Sequence, residues 1–441
     1  MEGYAGALDV DRVNKVFIQG STFQGNSSTV YGGAAVFVRT KDIVIEDTSF
    51  FGSEARKGGA LYVSYESPWV IGATLSPPFS ADKGPTVTLR AVNRDVVFRD
   101  NVATDGEGSD VYIMKGSSKT PYLNLSAKAG RRIELNGEIF LDNTAGSRRE
   151  PENRININTE PDDTGEVVLN GDIRPRWHTG GWGQKLVAHD GQAYVILGGG
   201  TLSLGNPMAL ANSRLIVPKG GNPTLNMTAI HPDATDPVEL YEIGFLDAAN
   251  QTLDLLVDVD LEKGVADTLR FGGFKSYRNI LRVAGWNVLS DVPAGAEEVV
   301  VTLAADEVQA QRVYYGLAPE AVRATGALYV YDVSVANPDP YEEDLLGPAE
   351  SSDSPWRVRP RSLTSINPTT SIRRSTAERS GKRRRRFCST KSATDFLTRV
   401  RPRADTLRAR SKVEPWIFRS RTLTTLTSTT GWRSLKRVRL R

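Results

Sequence analysis

The sequence predicts an all-β solenoid, and three observations carry that prediction. Across the first 350 residues, short runs rich in Val, Ile, Leu, Thr and aromatics alternate with clusters of Gly, Asn, Asp and Pro. That is a pattern of many strands and few helices. Two short motifs recur at a fixed offset, and the distance between the two motifs is kept from copy to copy.

The strand runs are NKVFIQG, KDIVIED, PTVTLRAV, RDVVFRD, RRIELNG, GEVVLNGD and QAYVILGGG. Each has the length of a strand and is bounded by turn formers. One segment is ambiguous: EVQAQRVYYGLAPEAVRA, within 305–325, reads equally as a short helix or as a strand with a loop.

The repeat aligns Gly6-Ala7-Leu8-Asp9-Val10 with Gly33-Ala34-Ala35-Val36-Phe37 and Gly59-Ala60-Leu61-Tyr62-Val63, at offsets of 27 and 26. Val16-Phe17-Ile18 and Ile43-Val44-Ile45 lie 27 apart, as do Phe23 and Phe50. A fixed period of about 20–50 residues marks a solenoid or array. One rung cannot bury its own apolar face, so it stacks on its neighbours and equivalent residues form columns. The expected columns are Ala7/Ala34/Ala60, Leu8/Ala35/Leu61 and Val10/Phe37/Val63. Gly33-Ala34 and Gly59-Ala60 suit a sharp corner, because glycine reaches φ > 0 and alanine fits where two walls converge. Phe23-Gln24-Gly25-Asn26 suits another corner, with Phe23 pointing inward and Asn26 in a left-handed turn that its side chain bonds. The Phe-x-x-Asn spacing returns at Phe98/Asn101 and Phe140/Asn143, and degrades at Phe50.

The two motifs keep their distance. Phe23 to Gly33 is 10, Phe50 to Gly59 is 9, and Phe98 to Gly108 is 10, which makes Gly108-Ser109-Asp110-Val111-Tyr112 a diverged copy of the Gly-Ala element. Residues 66–91, with Pro68, Pro77, Pro78 and Pro85, read as a loop projecting from a rung. Past residue 150 the period blurs while the strand-and-turn style persists, so residues 1–336 form one solenoid domain. Residues 337–356 are acidic and Pro-rich, the composition of a linker.

Charge separates the rest. Residues 351–441 hold 25 Lys and Arg against 5 Asp and Glu, a net of +20, which leaves −17 for residues 1–350. The segment 357–441 carries Lys382-Arg383-Arg384-Arg385-Arg386 and much Ser and Thr. With so few apolar residues to offset chain entropy, it is expected to be disordered. Its basic runs would bind nucleic acid only through phosphate charge, without sequence specificity. Its abrupt onset is also what a shifted reading frame would give.

Several function classes are excluded. The single cysteine, Cys388, rules out a disulfide within the chain and a cysteine zinc site. No run approaches the roughly 18 apolar residues of a membrane helix. The opening MEGYAGALDVDRVNK lacks the basic and apolar regions of a secretory signal.

Gly33-Ala34, Gly59-Ala60 and the Phe-x-x-Asn quartets resemble the repeats of polymorphic outer membrane proteins, whose autotransporter passengers are right-handed parallel β-helices. Gly200-Thr201-Leu202-Ser203-Leu204-Gly205 and Val257-Asp258-Val259-Asp260-Leu261 resemble later passenger rungs. The resemblance spans about residues 1–340 and implies a cell-surface adhesin that binds a host or environmental receptor through loops, with 66–91 the first candidate. It also implies an outer-membrane anchor through a β-barrel, which residues 357–441 do not encode: they lack alternating strands of about ten residues. The missing signal and barrel suggest a piece cut from a longer chain, with uncapped, aggregation-prone ends.

The residues point to no catalytic, cofactor or metal site. In the aligned rungs Glu46 and Asp47 sit over Gln19 and Gly20, and Asp9 sits under Val36, so no acidic column emerges. Asp100, Asp105, Glu107 and Asp110 read as turn formers before a calcium site, since hard cations need several converging oxygens. Asp254, Asp258 and Asp260 alternate with apolar residues and are expected in water. His178, between Trp177 and Trp182, reads as a surface patch. The sequons at Asn26, Asn124, Asn226 and Asn250 are of a kind that recurs by chance. The alternative is a carbohydrate-active β-helix enzyme, a lyase or hydrolase, which would need paired carboxylates about 5–10 Å apart.

Overall fold

The computed structural model describes residues 5–64, 85–115, 123–143, 153–179, 187–228, 238–275, 279–291, 298–303, 313–326, 330–336 and 369–374. From Leu8 the chain coils into rungs, each laying strands on three faces. The first rung is β1 (Leu8–Asp11), β2 (Lys15–Gln19) and β3 (Thr22–Gln24). The second is β4 (Ala35–Val38), β5 (Asp42–Glu46) and β6 (Ser49–Phe51), with β7 (Glu54–Lys57) on the way back. The third is β8 (Leu61–Ser64), β9 (Thr86–Ala91), β10 (Val96–Arg99) and β11 (Val102–Glu107). Next come β12 (Val111–Lys115), β13 (Leu123–Ala127) and β14 (Arg132–Leu135), then β15 (Ile139–Asn143), β16 (Asn153–Ile157) and β17 (Glu166–Leu169). The sixth rung is β18 (Ile173–Thr179), β19 (Val187–Asp190), β20 (Ala193–Leu197) and β21 (Thr201–Leu204).

The first face runs β1-β4-β8-β12-β15-β18, all parallel, and ends where β19 folds back antiparallel on β18. The second and third faces continue. They add β22 (Leu210–Ile216), β23 (Thr224–Asn226), β24 (Leu240–Asp247), β25 (Thr252–Asp260) with its hairpin partner β26 (Val265–Ala266), β27 (Thr268–Phe271) and β28 (Asn279–Ser290). Beyond them lie β29 (Glu298–Thr302), β30 (Val313–Leu317), β31 (Arg323–Thr325), β32 (Val330–Ala336) and β33 (Thr369–Arg374). The chain is therefore an all-β parallel β-helix. Among the described residues the one helical element is a 3-10 turn, Pro319–Val322. The ambiguous 305–325 stretch resolves into β30, that turn and β31.

The expected columns hold. Leu8, Ala35 and Leu61 are in register, as are Val10, Phe37 and Val63, and Ala7 donates its N–H to the Ala34 carbonyl at 3.1 Å. Inward residues of the second face form two unbroken apolar columns, Val16-Ile43-Val87-Leu123-Ile155 and Ile18-Ile45-Leu89-Leu125-Ile157. Burial of such stacked side chains drives the fold, at about 1.5–3 kcal/mol for each fully buried aliphatic or Phe side chain. On the third face Phe23, Phe50 and Phe98 stack, with ring centroids 4.9 and 4.6 Å apart.

The two glycines of the corner divide its demands. Gly32 and Gly58 take positive φ (53° and 64°). Gly33 and Gly59 sit where a Cβ would lie 2.2 and 2.3 Å from the carbonyl oxygens of Gly59 and Ser109. Ala34 and Ala60 are fully buried behind them.

Several expectations are corrected. Gly108 pairs in register with Gly58 rather than Gly59, because Val111 lies opposite Leu61; Asp110 therefore takes the place of Ala60. Thr86–Ala91 is not part of a loop but β9, paired on both sides within the second face. Residues 65–84 lie outside the described residues. In the Phe-x-x-Asn corners the left-handed residue precedes the Asn: Gly25 and Asp100 have φ near +60°, as does Gly52 before Ser53 in the degraded copy. Asn101 bonds backward to the previous rung, accepting from Ser53 N at 3.1 Å and donating to the Phe50 carbonyl at 3.3 Å. Phe140/Asn143 is no copy of this corner. The third-face position below Phe98 is Leu135, while Phe140 and Asn143 belong to β15 on the first face. Asp258 and Asp260 are not solvated: they are 2% and 6% exposed, since the strand beyond Val257 is covered on both sides.

The C-terminal end is not bare. β29, β33, β32 and β31 form an antiparallel sheet in that order, and Val301, Leu303, Ala321 and Val333 join the solenoid core. Trp286 Nε1 pins the 3-10 turn by donating to the Ala321 carbonyl at 2.9 Å. Within the tail expected to be disordered, Thr369–Arg374 forms β33, and its β-branched residues suit that role. The remainder of 357–441 and the linker 337–356 lie outside the described residues.

Candidate binding face

The pleat sends successive side chains to opposite sides of a strand, so a solvated face should alternate. The second face does: β9, β16 and β20 read buried, half-buried or exposed, buried in turn. Its outward side carries polar ladders. Asn156 donates to Asn124 Oδ1 at 3.0 Å, and Asn124 donates to Thr88 Oγ1 at 3.2 Å.

The first face breaks the rule. All four residues of β4 and of β8 are buried, and so are Val111 to Ile113 and Ile139 to Asp142. Its inward residues join the main core, while Val36, Val38, Tyr62, Tyr112 and Phe140 form a separate outward cluster. Tyr31, Tyr62, Tyr112 and Phe140 make an aromatic ladder along the solenoid axis, with centroids 4.3, 5.1 and 5.2 Å apart. Offset stacking at these distances adds about 0.5–1.5 kcal/mol per pair beyond burial.

A charged rim lies over the ladder. Tyr31, Lys57 and Glu107 each stand just before the left-handed glycine of their corner, and from there they overhang the first face. Lys57 Nζ lies 5.4 Å from the Tyr112 ring centre and 2.6 Å from Glu107 Oε2. Arg176, from β18, places its guanidinium 4.6 Å from the centre of Phe140, 2.7 Å from Glu107 Oε1 and 3.0 Å from Asp142 Oδ2. Arg174 also lies over Phe140, at 4.7 Å, and its Nε is 2.9 Å from Glu138 Oε1. Tyr112 donates its hydroxyl to Asp142 Oδ2 at 2.5 Å.

The electrostatics follow from burial and pairing. Burial would raise the Glu107 carboxyl, but hydrogen bonds from Arg176 and Lys57 hold it below the usual range. The Tyr112 hydroxyl is pushed up, first by burial and then by the Asp142 charge. Asp110, in the alanine column, is wholly buried. It accepts from Asn101 Nδ2 at 2.9 Å and Gly137 N at 2.6 Å, yet burial pushes its carboxyl up to about 6. Register places Asp110, Glu138 and Asp172 at equivalent positions of three consecutive rungs. This acidic column lies beyond the rungs that the Gly-Ala repeat aligns, which end at the Gly108 copy. Its members are engaged structurally: Glu138 accepts from Gly108 N and Asp172 from Asn206 Nδ2.

Of the residues singled out by motif, Gly33, Ala34, Gly59 and Ala60 meet at one corner, and Phe23 and Phe98 belong to one stack that Asn101 buttresses. Asn26 holds the second rung through its carbonyl, which accepts from Glu54 N at 2.9 Å. Asp100, Asp105, Glu107 and Asp110 do not converge, and no group of three metal-ligating side chains forms among the described residues. His178 stands in β18 opposite Ala188; its side chain lies outside the described residues.

The corner between the first and second faces has a further property. In the first two rungs the chain turns it with residues 12–14 and 39–41. In the next three rungs the segments 65–85, 116–122 and 144–152 intervene after the first-face strand, whereas in the sixth 180–186 joins β18 to its hairpin partner β19. Insertions thus leave from the same edge of the first face in consecutive rungs, past the ends of the strands that carry the aromatic ladder. Compared with models of known protein families the chain matches none, and it matches no curated protein.

Proposed function

We propose that this chain is a surface-exposed, adhesin-like β-helix of the autotransporter passenger kind, acting outside the cell and binding a host or environmental surface rather than transforming a substrate. The observation that carries the reading is the run of insertions at one corner. A solenoid's repeating backbone needs no segment there, as the first two rungs demonstrate, and such segments on a rigid scaffold are where binding residues concentrate. The acidic body, with a net −17 over residues 1–350, favours solubility outside the cell. A chain free of cysteine up to Cys388 also suits passage across a membrane unfolded.

Two measurements test the reading. Beads coated with the full chain should adhere to epithelial cells or matrix-coated surfaces. Replacing residues 65–84 with a short Gly-Asn-Gly-Ser linker should cut attachment at least tenfold while leaving the far-UV spectrum unchanged. Unaltered attachment would remove that segment from the binding role, and release of reducing or unsaturated sugars from a polysaccharide panel would replace adhesion with catalysis. The nucleotide sequence on both sides of this coding region tests the autotransporter assignment. A signal-type segment upstream and a series of alternating strands in some frame downstream would support it; neither in any frame would reduce it to a β-solenoid of another lineage.

A further inference from the structure

The C-terminal sheet is assembled out of chain order. Its middle positions are held by β33 and β32, and β33 is inserted between β29 and β32, which pair with each other nowhere. Without β33, both neighbours would face a gap one strand wide, each with an open row of backbone donors and acceptors. The gap is backed by the core, since Val301 of β29 and Val333 of β32 are 1% and 7% exposed.

The register suits the occupant. Ile372 stands opposite Val299 on one side and Val333 on the other, and Thr370 opposite Val301 and Val335. Arg373 stands opposite Glu298 and Asp332. In antiparallel sheets, directly opposite residues are the unit of stabilisation, and apolar and opposite-charge pairs are the favourable ones.

We propose that the gap between β29 and β32 is a strand-acceptor site that a second copy of this chain fills with its own Thr369–Arg374. Among the described residues, strand β33 pairs with β29 and β32 and with no strand of the solenoid. It is separated from Ala336, the end of β32, by residues 337–368, so the same segment reaches the site from its own chain or from another. Charge favours the docking, whichever chain supplies the donor. The donor belongs to a region of net +20 and the acceptor to a body of net −17, while whole chains at +3 repel one another little. Backbone pairing would supply the affinity, and the residues opposite one another across the strands the specificity. Exchange of an identical element between protomers is a low-cost route to a dimer.

The test uses the full chain with Cys388→Ser. One population carries Val300→Cys and a second carries Ser371→Cys, residues that lie opposite one another. Directly opposite strand residues fall within the Cα separation a disulfide spans. The two are co-expressed, mildly oxidised and separated without reductant. The expected result is a covalent dimer of one copy of each, its yield rising with protein concentration. Adding Ile372→Pro to the Ser371→Cys chain should cut that yield at least tenfold, because proline removes a ladder donor. No cross-link between the two populations, with internal closure of a chain carrying both cysteines, would show β33 fixed in its own chain and overturn the proposal. Failure of the double-cysteine chain to close either way would overturn it too, since β33 would then not occupy the gap.

Discussion

The first and second faces pass through the same rungs and follow opposite rules. On the second face the pleat sorts residues: Val87 and Leu89 inward, Thr88 outward. On the first face Leu61, Tyr62 and Val63 are all fully buried. The same backbone therefore carries a one-sided sheet and a two-sided one side by side. A solenoid needs only its inward columns to stack. The outward ladder of the first face is additional structure, carried near the start of the strands from whose ends the insertions leave.

That comparison can be broken by substitution. Phe98→Ala removes the end of the inward phenylalanine stack and should cost about 3–5 kcal/mol. If the outward ladder is a true second core, Tyr112→Ala should cost nearly as much, because it leaves Asp142 without its hydroxyl partner and opens the stack between Tyr62 and Phe140. Urea midpoints of the two variants measure this. A Tyr112→Ala loss under about 1 kcal/mol, the scale of ordinary surface substitutions, would make the first face no different from the second.

Asp110 sharpens the contrast at the corner. Its carboxyl ionises near 3.8 in the unfolded chain and near 6 in the folded one. A raised carboxylate pKa means the fold prefers the proton, so this contribution is fully present below 3.8 and is lost as pH rises to 6. Asp110→Asn should remove that slope. Relative to the parent, the variant should gain on the order of 2–3 kcal/mol between pH 3.5 and pH 7. Parallel stability curves for the two proteins would show that Asp110 does not titrate in this way.

The smallest effect is expected on the second face. Asn124→Ala breaks the outward ladder to Thr88 and Asn156 in the rung that also holds Tyr112. Both bonds are half-buried and water can replace them, so the loss should be about 0.5–1 kcal/mol. A cost rivalling that of Tyr112→Ala would mean the polar ladders hold the rungs together as firmly as the aromatic one.

The inward columns were legible because stacking demands the same residue class at one position in every rung. The register at Gly108 was not, since two adjacent glycines offer two alignments and only the strand that follows decides between them. Phe140 misled for a related reason: a four-residue spacing recurs by chance, and Leu135 had taken over the position of Phe98. The ladder left an ambiguous signal: AVFV, LYV, VYI and IFL are unbroken apolar runs, as strands buried on both sides read, but so are VFI and IVI of the second face, whose middle residues are only half-buried. The rim of Lys57, Glu107, Arg174 and Arg176 left none, because its partners lie in different rungs and nothing in their local sequence joins them. The acidic column of Asp110, Glu138 and Asp172 left none either, because past Gly108 no Gly-Ala copy marks the corner and only strand pairing aligns its members.

The Arg176–Glu107 pair has a mechanical consequence. Most ladder bonds of a parallel solenoid join neighbouring strands, so a pull along the axis would peel it rung by rung at low, even force. Glu107 leads into β12 and Arg176 lies in β18, with β15 between them on the first face. That tie spans two strand spacings, about 10 Å. A rung within this block cannot leave alone, so an axial force trace should show one tall rupture among many shallow ones, at the stretch that bears the insertions.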